Sequence, residues 1–232
     1  QSLDELWRRQ IAREDGDDAY DFSHDKIRAV AYAELSPMRR RTVHLHVAEA
    51  MASLHAANLD ATSAQIAAHY VLAGQPQFAI LFYRRAAAAS QSVFAHRDAL
   101  SYLEKSFNLL PTLTDVTSRR ALAAALQEQM GDIYGLHAQH EGARAAYFAA
   151  LTDTPDDDRI GRARLHRKVG KILENEQRKY ELAAAQYGMA ADLLGEPAMT
   201  ASPAWWKEWC QVQLDQLLLL YWWGRTDEMG AQ

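Results

Sequence analysis

The sequence predicts an all-α fold: a solenoid of stacked helical hairpins, preceded by a small segment that holds a short β-hairpin. Three observations predict it. Beyond about residue 60 the apolar residues recur at the three-to-four-residue spacing of a buried helix face, and strand signals are confined to residues 11–23. Small and aromatic residues recur at fixed offsets in more than one place. With 232 residues, 49% hydrophobic and 24% charged, the chain has the composition of a globular protein that buries one large core or two modest ones.

Residues 1–59 form the first expected domain. "SLDELWRRQ" reads as a short helix, and "IAREDGDDAYDFS" as two short strands around the turn signal Asp15-Gly16-Asp17. A helix follows from about His24, with Ile27, Val30, Ala31, Glu34 and Leu35 at helical spacing and Ser23 or Asp25 as its cap. Ser36-Pro37 supplies a cap and a first-turn proline for the next helix, on which Val43, Val47, Ala50, Met51 and Leu54 share one face. Helix, hairpin wing and helices together resemble part of a winged-helix domain.

Residues 60–232 form the second. Ile66, Ala67, Tyr70, Ala79, Tyr83 and Ala86 sit at the offsets of a tetratricopeptide repeat, and Met130, Gly131, Tyr134, Ala143, Tyr147, Ala150 and Pro155 repeat them. Val169, Gly170, Leu173, Ala183, Tyr187 and Ala190 form a third copy with one extra residue in its turn. Ala99, Leu103, Ser106 and Pro111 match only the second half of the pattern. The offsets have a physical reason: small residues let two antiparallel helices approach to roughly 8–10 Å while the tyrosines fill the adjoining space. Such stacked pairs present a concave surface that binds peptides or domains rather than performing chemistry. After the apolar helix ending near Trp223, "GRTDEMGAQ" reads as a turn and the start of another helix, so the repeats are expected to be cut short.

Ser23, His24 and Asp25 stand side by side, which raises the question of a hydrolase. A triad needs the imidazole between the other two groups, and consecutive residues do not face one another on a strand or a helix. Hydrolysis is therefore the last-ranked reading. The chain also has no Gly-x-x-x-x-Gly-Lys-[Ser/Thr] phosphate loop, so it is not expected to be an enzyme by itself.

Other classes are weighed by charge and spacing. The net charge of -5 gives no overall attraction to nucleic acid or anionic membrane. Arg39-Arg40-Arg41 with Lys26 and Arg28 is the best DNA-facing cluster, but the wing beside it is acidic (Glu14, Asp15, Asp17, Asp18, Asp21), and direct nucleic-acid contact is not expected. His44 and His46 point to nearly opposite sides of a helix, and His137, His140 and Glu141 lie at a turn without a cysteine partner, so no metal is expected. The single cysteine, Cys210, and the absence of a long apolar run suit a cytoplasmic setting without membrane contact. Trp205, Trp206, Trp209, Trp222 and Trp223 are either inter-helix core or an interaction surface, with self-association through the C-terminal end as one consequence.

The run "YDFSHDKIRAVAYAELSPMRRRTVHLHVAEAM" followed by "IAAHYVLAGQPQFAILFYRRAAAAS" resembles the region after the nucleotide-binding core in bacterial STAND-class signal-transduction ATPases. The resemblance covers nearly the whole chain. It implies a segment of a longer regulator of transcription or signalling, in which a P-loop ATPase module precedes a winged helix and tetratricopeptide-like helices. It also implies ADP or ATP in that upstream domain and a protein, peptide or small-molecule inducer on the repeats. The family's Met-His-Asp motif, whose histidine contacts the β-phosphate of ADP, falls on Ser23-His24-Asp25, with serine where methionine is common. His24 and Asp25 are then nucleotide-sensing residues. The alternative is a plain tetratricopeptide adaptor without nucleotide coupling.

Overall fold

A computed structural model describes residues 3–14, 20–176, 179–197 and 201–231. The fold is all-helical with one small two-stranded antiparallel sheet. The chain divides into two compact units, 1–82 and 83–232, with the division inside one helix.

In the N-terminal unit, α1 (Leu3–Arg8) leads into β1 (Ala12–Glu14) and β2 (Tyr20–Phe22), paired in the register Ala12↔Phe22, Arg13↔Asp21, Glu14↔Tyr20. The turn signal Asp15-Gly16-Asp17, with Asp18 of the acidic wing, lies outside the described residues. α2 (Asp25–Glu34) buries none of its residues. α3 (Pro37–Leu54) starts as its sequence requires, with Pro37 in the first turn and the Ser36 hydroxyl accepting from Arg39 N–H at 3.3 Å. α4 (Leu59–Leu72) packs on α3, burying Ser63, Ile66, Ala67 and Tyr70, and the Ser63 hydroxyl is satisfied by the Leu59 carbonyl at 2.6 Å. α5 (Pro76–Ser92) follows the left-handed turn at Gly74, and Phe78 and Phe82 lie against the Tyr70 ring.

One expectation changes here. The buried residue of α3 is Ala48, while Val43, Ala50 and Leu54 are exposed. Apolar residues surround this helix on all sides, so periodicity does not single out the face that α4 covers. α4 packs on α3.

In the C-terminal unit, α6 (His96–Leu109) ends in a short 3₁₀ turn at Leu110–Thr112. The remaining helices are α7 (Val116–Leu136), α8 (His140–Asp153), α9 (Arg159–Asn175), α10 (Tyr180–Leu194) and α11 (Pro203–Trp223). Side-chain oxygens cap three of them: Asp115 accepts from Thr117 and Ser118, Asp158 from Gly161, and Ser202 from Trp205. α7 packs on α8 and α9 on α10, and α11 packs on α9 and α10.

The two pairs are built alike. A Cβ placed on Gly131 would stand 2.5 Å from a ring carbon of Tyr147, and one on Gly170 would stand 2.6 Å from the same carbon of Tyr187. Each tyrosine ring thus lies directly on the backbone of the facing helix. Around them the core gathers Ala143, Ala150, Leu165, Val169, Leu173, Ala183 and Leu219, with Tyr134 packed at its margin; Met130 is half-buried. The turns repeat as well: Gly74, Phe94 and Ala138 all have left-handed backbone, each five residues before a fully buried alanine, Ala79, Ala99 or Ala143. Gly224 closes α11 in the same conformation. Tyr83 and Ala86 are buried too. Among the described residues no helix is long and apolar enough to cross a membrane.

Candidate functional site

The β2–α2 turn sends its three polar side chains to three different places. The Ser23 hydroxyl donates to the Gln10 carbonyl at 2.5 Å and lies 3.2 Å from that of Ile11, closing the turn against the end of α1, where Gln10 is left-handed. Ser23 is therefore not the cap of α2. The N-cap is His24, in extended conformation, and no side chain caps the helix. Asp25 is already the first helical residue, one position too late to cap, and its carboxylate pairs with Arg28 at 2.9 Å; Arg28 also reaches Asp21 of β2 at 3.9 Å.

His24 is exposed, and among the described residues no hydrogen bond or ion pair reaches its imidazole. The Asp25 carboxylate beside it is engaged by Arg28. A cleft of about 430 Å³ lies beside the turn, lined by Trp7, Arg8, Gln10, Ala12, Arg13 and Ser23. Two guanidinium groups and an indole suit an anion carried on an aromatic body.

The second candidate is the face shared by α7, α9 and α11. Arg164 of α9 makes a two-pronged contact with Glu128 of α7 at 2.8 and 3.1 Å, and Lys168 reaches both Glu128 and Asp132 at 2.7 and 2.6 Å. On the other side Arg167 bonds Glu208 at 2.6 Å and Asp215 at 3.1 Å, both from α11. The core tyrosines tie in: Tyr147 donates to Asp132 at 2.8 Å and Tyr187 to Glu174 at 2.9 Å.

Burial pushes the Glu128 carboxyl up, but hydrogen bonds from Arg164 and Lys168 outweigh it and hold its pKa below the usual value. Burial first, and then the Asp132 charge, raise the Tyr147 hydroxyl well above its ordinary range; burial and Glu174 do the same to Tyr187. The central cations are thus shared between two banks of carboxylates. A ligand carboxylate reaching Arg164 or Lys168 has to compete with Glu128 and Asp132. None of these charged residues stood out in the sequence as a site, because isolated charges on helices read as solvated. The available signal was the common 36-residue separation of Glu128 from Arg164 and of Asp132 from Lys168, close to one repeat.

The tryptophans divide. Trp205 and Trp209 stack nearly parallel and pack on the cluster of Ala163, Ala190, Leu194 and Val212, and the Trp205 indole donates to the Leu194 carbonyl at 3.1 Å. Trp206 meets both edge-on. Trp223 lies against the main core with Tyr180, under the Arg225 guanidinium. Trp205, Trp209 and Trp223 are therefore core-packing residues rather than a free surface, and Trp222 is 63% exposed. Among the described residues no group of three histidine, cysteine or acidic side chains converges to hold a metal; His137 instead meets His96 edge-on.

No family model matches the chain, and no curated protein matches it.

Proposed function

We propose that this chain is the sensor and protein-interaction region of a STAND-type ATPase regulator of transcription or signalling. In this reading a winged-helix-like segment senses the nucleotide held by an ATPase core elsewhere in the same protein, and a tetratricopeptide-like solenoid takes the inducer or partner. The observation that carries it is His24: an exposed imidazole at a helix N-cap, without a partner among the described residues, beside a cleft lined by Arg8 and Arg13. Such a group donates readily to a phosphate oxygen. The paired Gly131–Tyr147 and Gly170–Tyr187 seats and the recurring left-handed turns support the repeat half of the reading.

Inducer binding on the repeats would open the assembly and permit nucleotide exchange. Thermal unfolding of the full-length protein with and without ADP tests the coupling. A ligand at a hundred times its Kd adds about 2.7 kcal/mol to the state it binds, so the midpoint should rise with ADP. A full-length protein whose melting ignores ADP and ATP would instead be the plain adaptor.

A further inference from the structure

Three side chains from three helices of the N-terminal unit meet in a line. The Tyr32 hydroxyl of α2 lies 2.9 Å from His44 Nε2 of α3, and His44 Nδ1 lies 2.9 Å from Nδ1 of His69 on α4. The rings agree with this: Tyr32 meets His44 edge-on at 5.7 Å, and the two imidazoles are tilted at 5.1 Å.

A nitrogen-to-nitrogen hydrogen bond holds one proton. With both imidazoles neutral, Tyr32 donates to His44 Nε2 and His44 Nδ1–H donates to His69, or the whole chain runs in reverse. One added proton also fits, because the His44 imidazolium donates in both directions. A second does not. Two Nδ1–H groups would then face each other at 2.9 Å with two positive charges and no acceptor between them.

The surroundings offer that second proton no help. Arg40 of α3 stacks over the Tyr32 ring at 4.8 Å, and Arg41 of α3 lies near Gly74 at the end of α4. Glu49 of α3 acts on Tyr70, the neighbour of His69. Among the described residues no carboxylate pairs with either imidazole.

We propose that Tyr32, His44 and His69 form a pH-operated clasp that fastens α2 and α4 to α3 near neutrality and opens when the pair takes up a second proton. α2 depends on such ties, since none of its residues is buried. A further link to α3 is Arg40, which donates to the carbonyls of Ala33 and Leu35 at 2.6 and 2.9 Å.

The direction in pH follows from His69, whose pKa burial and then the His44 charge hold below 6.5. Above 6.5 neither the folded nor the unfolded chain binds this proton, so the full stability is present. Below it the unfolded chain takes up a proton that the folded one refuses, and stability falls until the folded pKa is passed.

Hydrogen exchange of this chain, corrected for the intrinsic effect of pH, tests the clasp. Between about pH 7.5 and about pH 5.5 the amides of α2 and of the facing turns of α3 and α4 should lose protection severalfold, because the unfolded chain takes up a proton that the folded one refuses. His69→Asn keeps a neutral acceptor near Nδ1 and should abolish the change. Tyr32→Phe should lower α2 protection already near neutrality and leave the pH response of α3 and α4 intact. Nitrogen shifts of the wild-type His69 imidazole give a readout that needs no variant: His69 should take up its proton below the ordinary histidine range. Protection that ignores pH, a His69→Asn protein as pH-sensitive as the wild type, or a His69 that protonates at or above the ordinary histidine range would overturn the proposal.

Discussion

Gly170 of α9 and Gly188 of α10 lie on two helices packed together and should respond oppositely to the same change. Gly170 has the Tyr187 ring where its Cβ would go, whereas nothing lies within 4 Å of a Cβ on Gly188. Overpacking costs about 1–3 kcal/mol, while replacing a glycine inside a helix by alanine gains about 0.5–1 kcal/mol. Gly170→Ala should therefore destabilise the C-terminal unit by roughly 1–2 kcal/mol, and Gly188→Ala should stabilise it by up to about 1 kcal/mol. Urea unfolding measures both. Equal effects of the same sign would mean that the tyrosine does not rest on the α9 backbone. The Gly–Tyr seats were legible in the sequence because each joins two helices consecutive in the chain. The His44–His69 contact was not, since its partners stand 25 residues apart with no pattern to join them.

At the scale of elements, α9 is the strut on which α7 and α11 both lean through ions. Arg167 is 15% exposed and faces Glu208 and Asp215, which are 7% and 13% exposed. Removing it leaves buried Glu208 without its ion-pair partner and Asp215 with only Lys171 at 3.7 Å, a change that typically costs 3–5 kcal/mol. Arg167→Ala should lower stability by about that much, and Arg28→Ala, at the exposed Asp25 pair, by no more than about 0.5 kcal/mol. Chemical denaturation of the two variants checks the contrast; similar small losses would reduce the α9 network to a surface feature. Element boundaries with local punctuation, such as Ser36-Pro37 and the two strands, were readable. The left-handed turns at Phe94 and Ala138 were hidden because neither residue is a glycine, and the covered face of α3 was hidden because its apolar residues point all round.

For the whole molecule, α11 presents Leu214, Leu218, Tyr221 and Trp222 to solvent at helical spacing, although Trp223 beside them is packed. Such an apolar stripe tends to find a cover. Sedimentation of this chain at high concentration should show self-association, and Trp222→Glu should abolish it; a monomer at all concentrations would contradict this. The all-helical class and the small N-terminal sheet followed from periodicity and turn residues.

The central claim is that His24 awaits a phosphate from outside this chain. The most direct measurement is the ADP affinity of the full-length protein with His24→Ala, set beside the unfolding free energy of this chain carrying the same change. Losing one hydrogen bond to a charged group, about 1.5–3 kcal/mol, predicts ADP binding weakened roughly ten- to a hundredfold. The exposed, unpartnered side chain predicts no change in the stability of the chain beyond about 0.5 kcal/mol. Unchanged ADP affinity together with a clear loss of stability would show that His24 serves the fold and not the nucleotide.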